Sequence, residues 1–350
     1  MLLEEFDPIS MLVTKKTFVK QARFPVFDAH NHLDDDYGGG WIHKSVEEIT
    51  SAMDDVNIRT IIDLDGGWGE RILQKHIKHL KNSMPERFIL FGGINWEEWK
   101  TFGNRFPEWA ASRMRNQSRW GASGLKIWKN LGLTVRDHLD KLVGINDSRL
   151  DTIWQTAAEL NWPVMVHAGD PAAFFEPLDE QNERWEELNN NPEWHFPSPP
   201  YPPLKKVLDG FSSMVARNPQ TTFIGAHVGC YAENLLWVSR MLEKNSNYYI
   251  DISARLAELG RQPYSARRFF LKYADRILFG LDGGIDKQAY QTAFRFLETD
   301  DEYFSYSDEQ KATQGRWHIY GIGLPDDVLR KVYFENAAKL LNIPWNPIES

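Results

Sequence analysis

The sequence predicts an α/β protein built as a single-domain, closed (β/α)8 barrel, also called a TIM barrel. Three observations lead to this fold class. Eight short apolar runs recur along the chain, helix-period segments lie between them, and the length of 350 residues suits one large domain. Near-continuous runs of β-branched and aromatic residues are typical of strands that helices cover on both faces. Eight strand–helix units predict a barrel of about 250 residues that carries additional segments.

The eight predicted strands are separated by stretches long enough for a helix. They cover residues 25–33, 60–65, 87–95, 122–128, 163–169, 221–229, 248–253 and 276–284. An open, doubly wound sheet is the alternative, but Gly66, Gly67 and Gly69 do not complete a dinucleotide-binding motif and the chain has no P-loop motif. The closed barrel is therefore preferred.

Helical periodicity is clearest between the fourth and fifth strands. Over residues 148–161, Leu150, Ile153 and Trp154 fall on one apolar stripe, and Ser148 is a suitable N-cap. The other predicted helices cover residues 45–57, 70–82, 204–217, 233–244, 266–273, 287–297 and 326–341.

Some segments do not fit the alternation of predicted strands and helices. Residues 1–24 form an N-terminal arm, and the barrel domain 25–350 carries insertions at 168–201 and 298–324, after strands five and eight. Both insertions are aromatic and charged, and long loops of compact domains are commonly binding loops or lids. A surface decoration or an oligomer contact is the alternative. If they are lids, their tryptophans are candidates to cover an apolar or ring-bearing substrate: Trp185, Trp194 and Trp317.

Composition and charge narrow the function classes. The chain has 42% hydrophobic and 25% charged residues, as globular domains do, and its net charge of −9 disfavours nucleic-acid and anionic-membrane binding. It has no apolar run of about 18 residues, its first residues do not read as a signal peptide, and a single cysteine, Cys230, allows no internal disulfide. We therefore expect a cytoplasmic protein that acts on a small molecule. Homo-oligomer formation stays open.

Histidine and aspartate residues fall at the carboxyl ends of four predicted strands: His30 and His32 in the first, His167 in the fifth, His227 in the sixth and Asp282 in the eighth. A lone histidine there is usually a hydrogen-bonded core residue, but the strand ends of a barrel meet at one mouth, so these five favour a metal site. Imidazoles with one carboxylate suit Zn²⁺, which activates water and polarises a carbonyl. Asp282 is the candidate proton acceptor and donor.

At these residues the sequence resembles the amidohydrolase superfamily, and in particular its amidohydrolase-2 branch. The matching motifs are FDAHNHL (27–33), GLKIWK (124–129), VMVHAGDP (164–171), FIGAHVG (223–229), YIDIS (249–253) and ILFGLDGG (277–284). The resemblance implies one divalent ion, Zn²⁺ or alternatively Mn²⁺, held by His30, His32, His167 and Asp282. His227 is then a further ligand or the group that polarises the substrate and orients the water. The family covers hydrolases, including lactonases, and nonoxidative decarboxylases, so the resemblance does not fix the reaction.

Four further residues are candidates around this centre. Lys126, on the fourth strand, is a substrate contact, a structural ion pair or, as in dinuclear branches of the superfamily, a carboxylated bridge between two metals. Trp128 is expected to line the pocket. Arg255, after strand seven, suits a substrate carboxylate, with a surface arginine as the alternative. Asp28 is expected to orient a ligand or a strand backbone rather than to bind metal.

The sequence thus predicts a metal-dependent hydrolase that cleaves a C–N or C–O bond, as in an amide, ester or lactone, of a small molecule. The alternative is a nonoxidative decarboxylase, a lyase acting on an unsaturated or aromatic carboxylic acid. A non-catalytic metal- or sugar-binding barrel is disfavoured, because such a barrel has no chemical need for all five polar strand-end residues.

Overall fold

The computed structural model describes residues 9–35, 39–307 and 314–343, and these form a barrel of parallel strands. Strands β1 to β8 are Val26–Asn31, Ile58–Asp63, Phe88–Gly92, Gly124–Ile127, Val164–Val166, Phe223–Gly225, Tyr248–Asp251 and Ile277–Leu278. Each strand pairs with the next one in the chain. The Ala29 amide of β1 donates to the Phe279 carbonyl just beyond β8 at 2.9 Å, which joins the first strand to the last. The predicted (β/α)8 fold class is confirmed.

Helices alternate with the strands and cover the outer face of the barrel. Helices α1 to α10 are Val46–Asp54, Glu70–His76, Phe106–Trp120, Asp151–Glu159, Leu204–Arg217, Leu235–Lys244, Pro263–Tyr273, Lys287–Glu298, Asp326–Arg330 and Asn336–Leu340. The apolar core lies between the two layers. Trp154 of α4 packs against Phe223 of β6, with 6.0 Å between ring centroids, and Phe211 of α5 packs against Tyr248 of β7 at 5.7 Å. All four rings are fully buried.

Two sequence-based expectations about helices are wrong. Helix α3 was not predicted, because its buried stripe mixes Ala110 and Met114 with the polar Gln117 and gives a weak apolar period. Ser148 is not the N-cap of the helix that precedes β5. Residues Ser148–Leu150 form a 3-10 turn, and the Asp147 side chain caps it by accepting from the Arg149 amide at 3.0 Å.

The first predicted insertion, 168–201, follows β5 directly. It contains the short helix Trp185–Asn190 between two 3-10 turns. The second, 298–324, follows β8 and its helix α8 and lies between α8 and α9. Parts of the predicted segments lie outside the described residues. These are residues 1–8 of the arm 1–24, residues 308–313 of the second insertion, and residues 36–38 and 344–350 of the domain 25–350. Within the described part, no helix is long and apolar enough to cross a membrane.

Candidate active site

The carboxylate of Asp282 lies between the two histidines at the carboxyl end of β1. Its Oδ1 is 3.1 Å from His30 Nε2 and 3.2 Å from His32 Nε2. Asp282 has a φ of 68°, and its amide donates to the His30 carbonyl at 2.8 Å. Closure of the barrel between β8 and β1 therefore brings these three side chains together, and their ligand atoms all lie within 4.8 Å of one another.

The opposite nitrogens of both rings contact buried carboxylates. His30 Nδ1 lies 2.9 Å from Asp251 Oδ2, and His32 Nδ1 lies 2.7 Å from Asp65 Oδ1. An ionised carboxylate only accepts, so each Nδ1 donates its hydrogen there, which leaves each Nε2 as the ring atom that faces Asp282 and that a metal ion would bind. This pairing is the usual support for metal-binding histidines. The donor set therefore fits a divalent cation.

The local charges favour a cation at the same place. Burial raises the pKa of Asp282, but the proximity of the His30 and His227 rings and hydrogen bonds from His30 and His32 outweigh burial and hold that pKa well below its usual range. Burial lowers the pKa of His32, but Asp282 and Asp65 reverse this effect and raise the pKa to about 9. The Asp282 carboxylate is thus ionised and attracts positive charge.

His227 and His167 form a second side of the site. The His227 ring lies 4.8 Å from the His30 ring and 4.4 Å from the His167 ring, centroid to centroid, and His227 Nε2 is 3.7 Å from Asp282 Oδ2. His167 Nε2 contacts Asp170 Oδ1 at 3.0 Å. Burial lowers the pKa of His227 well below its usual value and that of His167 to about 4, so both rings are neutral. His167 is outside the 4.8 Å cluster of ligand atoms, so its role as a ligand stays a prediction.

His227 is held by an unusual turn after β6. His227, Val228 and Gly229 have φ values of 58°, 57° and 67°. The Asp251 carboxylate accepts from the His227 amide at 3.0 Å, and His227 Nδ1 lies 3.0 Å from the Ser253 carbonyl. Strained backbone of this kind persists where the surroundings fix it, and it clusters at functional sites.

The other predicted site residues lie around this centre. Lys126 is buried, with its Nζ 3.0 Å from His30 Nε2 and 4.5 Å from the Trp128 ring centroid, and it forms no salt bridge with a described carboxylate. Burial lowers its pKa to about 8. Asp28 Oδ1 accepts from the amides of His30 at 3.1 Å and Leu281 at 3.2 Å. Asp28 therefore ties β1 to the residue that precedes Asp282.

A cavity of about 1170 Å³ opens above these residues. Trp68 and Trp128 stack on each other at 4.0 Å in its wall. Arg255 is 5% exposed and also lines the cavity, and its one hydrogen bond to a described residue is to the Ala254 carbonyl at 2.8 Å. Of the three tryptophans in the insertions, Trp194 lines the cavity. The other two do not: Trp185 is exposed, and Trp317 packs on Arg261 at 3.9 Å.

Sequence reasoning passed over the carboxylates that hold the histidines. From the sequence, none of Asp65, Asp170 and Asp251 is paired with a particular histidine. A signal was present, since Asp65 and Asp251 stand at strand ends, as the histidines do, and Asp170 follows His167 by three residues. The pattern did not say which carboxylate pairs with which ring.

A family model described as amidohydrolase matches residues 104–343. The chain belongs to the amidohydrolase family. Members of this family are metal-dependent enzymes that include hydrolases and carboxy-lyases, so the protein is an enzyme of this kind. No curated protein sequence matches the chain.

Several solved structures share the fold. 2,6-Dihydroxybenzoate decarboxylase from Rhizobium has a TM-score of 0.54 and 14% identity, over 91% of this chain and 99% of that one. A dihydroxybenzoic acid decarboxylase from Polaromonas sp. JS666, with bound manganese and 2-nitroresorcinol, has a TM-score of 0.58 and 13% identity, over 92% and 98%. An uncharacterized TIM-barrel protein from Bordetella bronchiseptica has a TM-score of 0.54 and 14% identity, over 91% and 99%. At these identities the likeness concerns the fold.

Proposed function

We propose that this amidohydrolase-family protein is a metal-dependent hydrolase that cleaves a C–N or C–O bond of a small, ring-bearing molecule. The observation that carries the proposal is the convergence of His30 Nε2 and His32 Nε2 on one oxygen of Asp282, at 3.1 and 3.2 Å. These atoms belong to the strand ends that line the mouth of the barrel, which is where TIM-barrel enzymes carry their active sites.

In this proposal His30, His32 and Asp282 hold one divalent ion, with His167 as a further ligand. Imidazole-rich sets favour Zn²⁺, and the carboxylate makes Mn²⁺ the alternative. When bound, the ion supplies a Lewis acid that activates water and polarises the reacting bond. Lys126 acts as an unmodified amine beside His30, because its Nζ already lies 3.0 Å from His30 Nε2.

Asp282 is the proposed proton-transfer group. Its side chain keeps 27% exposure to the cavity, so a carboxylate oxygen can reach both a water molecule and a leaving group. His227 has its Nδ1 hydrogen committed to the Ser253 carbonyl, so its neutral ring offers Nε2 as an acceptor. An acceptor 3.7 Å from Asp282 Oδ2 can orient the same water molecule.

The cavity walls indicate what the substrate carries. The stacked Trp68 and Trp128 rings provide a flat apolar surface, and a ring of the substrate can pack against it. Arg255 is buried in the wall and forms no salt bridge with a described carboxylate. A buried guanidinium needs a partner for its charge, and a substrate carboxylate supplies a bidentate one.

Arg255 also favours a second candidate, a nonoxidative decarboxylase of an aromatic or unsaturated carboxylic acid. In that reaction the substrate must carry a carboxylate, which the Arg255 guanidinium can bind. Asp282 then relays a proton from a water molecule to the carbon that loses CO₂. The two candidates use the same side chains and differ in the bond that breaks.

One experiment separates them. Protein prepared without chelator is analysed for metal, stripped, and reloaded with Zn²⁺ or Mn²⁺. It is then assayed in ¹⁸O-labelled water against lactones, amides, esters and aromatic carboxylic acids, with CO₂ detection. Hydrolysis puts ¹⁸O into the product, whereas decarboxylation releases CO₂. A protein that binds neither ion contradicts both candidates.

A further inference from the structure

A buried network of carboxylates and imidazoles extends behind His32, away from the cavity. Its members are Asp65, Asp63, His76 and Asp34, and each is at most 2% exposed. It begins at the contact between His32 Nδ1 and Asp65 Oδ1. The other oxygen of Asp65 accepts from two backbone amides of the chain that follows His32, those of Leu33 at 2.7 Å and Asp34 at 2.8 Å. Asp65 therefore fixes both the His32 ring and the chain beyond it.

His76, the last residue of α2, connects the two remaining carboxylates. Its Nδ1 forms a short contact with Asp63 Oδ2, and its Nε2 lies 2.9 Å from Asp34 Oδ2. Both ring nitrogens face acceptor-only groups, so both carry hydrogen and the ring is a cation. Asp63 in turn accepts from the Asp65 amide at 2.9 Å through its other oxygen. His76 thus holds Asp65 in place from two directions.

Charge balance gives His76 a specific task. Three carboxylates of Asp34, Asp63 and Asp65 are buried together, and buried charges are tolerated only when they are paired. The partly exposed Lys75 reaches Asp34 at 2.9 Å but is not bonded to Asp63. Asp63, Asp65 and His76 also have ligand atoms within 4.8 Å of one another, yet their oxygens already accept from His76, His32 and backbone amides. This hydrogen bonding favours a supporting network over a second metal site.

We propose that His76 is a positioning residue of the active centre, which holds Asp63 and Asp34 and, through them, keeps Asp65 and the His32 ring aimed at Asp282. This inference rests on the proposed metal centre that includes His32. Groups that bond directly to a metal ligand, as Asp65 does, typically change metal affinity about 10- to 100-fold when they are removed. We expect a smaller effect for His76, because it acts on Asp65 through Asp63 and Asp34.

The test compares His76→Gln with His79→Gln. His79 lies one turn further along, is half-buried, and bonds the Lys44 carbonyl at 2.8 Å rather than a carboxylate. The dissociation constant for Zn²⁺ is measured on metal-free protein by competition with a chromophoric chelator, alongside thermal unfolding of the metal-free proteins. We expect affinity to fall about 3- to 10-fold in His76→Gln, below the range for a direct partner of a metal ligand, and by less than about twofold in His79→Gln.

The outcomes separate this inference from the metal centre itself. Wild-type protein that does not bind Zn²⁺ overturns the proposed centre. Wild-type binding with unchanged affinity in His76→Gln, or equal losses in both variants, overturns the role of His76 alone. If His76→Gln does not fold, the double variant Asp63→Asn with His76→Gln removes both charges of the buried pair and gives the same measurement. We expect the same weakening there, and wild-type affinity contradicts the inference.

Discussion

At the scale of single residues, Asp282 carries the largest share of the proposed chemistry. Its Oδ1 contacts both His30 and His32, while its side chain still faces the cavity. Asp282→Asn keeps the size and an oxygen donor but removes the ionisable group. We expect kcat to fall about 10²- to 10⁴-fold, the usual contribution of general acid–base catalysis. The measurement is steady-state kinetics with saturating metal, together with metal content.

The matched change is Asp275→Asn, on an exposed carboxylate that pairs with Lys331 at 2.9 Å outside the site. It should leave kcat unchanged. Wild-type turnover in Asp282→Asn with bound metal refutes the proton-transfer role.

At the scale of elements, the turn Ala226–Cys230 decides where His227 points. Gly229 has a φ of 67°, and a Cβ atom there would lie 2.4 Å from the Tyr248 hydroxyl oxygen. Gly229→Ala therefore forces either the turn or β7 to move. We expect the free energy of unfolding to fall by about 1–3 kcal/mol, the typical cost of a residue held in a disfavoured backbone region. Denaturant unfolding of the metal-free protein measures it.

Gly283→Ala is the control for that change. A Cβ atom at Gly283 meets no atom within 4 Å, and the residue lacks the positive φ of Gly229. We expect its free energy of unfolding to stay within about 0.5 kcal/mol of the wild-type value, the usual range for substitutions that disturb no contact. Equal losses in both variants would show that the crowding against Tyr248 is not the cause.

At the scale of the whole molecule, two segments far apart in sequence meet above the barrel. Arg184, in the first insertion, is fully buried and pairs with Glu187 at 2.8 Å and with Glu258. Removing it leaves two buried carboxylates without their cation. We expect Arg184→Met to lower the free energy of unfolding by about 3–5 kcal/mol, as measured by denaturant titration.

Arg316, in the second insertion, gives the matched comparison. It pairs with Glu186 of the first insertion, but both side chains are about half exposed. Arg316→Met should lower the free energy of unfolding by less than about 1 kcal/mol, because water and salt screen exposed ion pairs. If Arg316→Met lowered the free energy of unfolding as much as Arg184→Met, burial would not explain the difference between the two ion pairs.

Particular residues show which parts of the site and the fold can be predicted from the sequence. His30, His32 and Asp282 could be assembled into one candidate site because a single geometric rule, that the strand ends of a barrel share a mouth, acts on local periodicity. Asp65 and Asp170 could not be assigned, because the pairing of a ring with a carboxylate depends on loop geometry. Helix α3 was missed for a local reason, since small and polar residues in its buried stripe weaken the period. Trp185 and Trp317 show the limit for insertions, since neither lines the cavity.

The sequence by itself determined the barrel, the order of its strands and the family to which the chain belongs, because periodic burial and strand-end motifs are written along the chain. Only the tertiary structure decided which atoms meet. It placed Asp282 against His30 and His32 through the β8–β1 closure, turned His227 inward through four left-handed residues, and buried His76 between two carboxylates. Those contacts join side chains far apart in sequence, and their energies depend on distances of a few ångströms that no local pattern encodes.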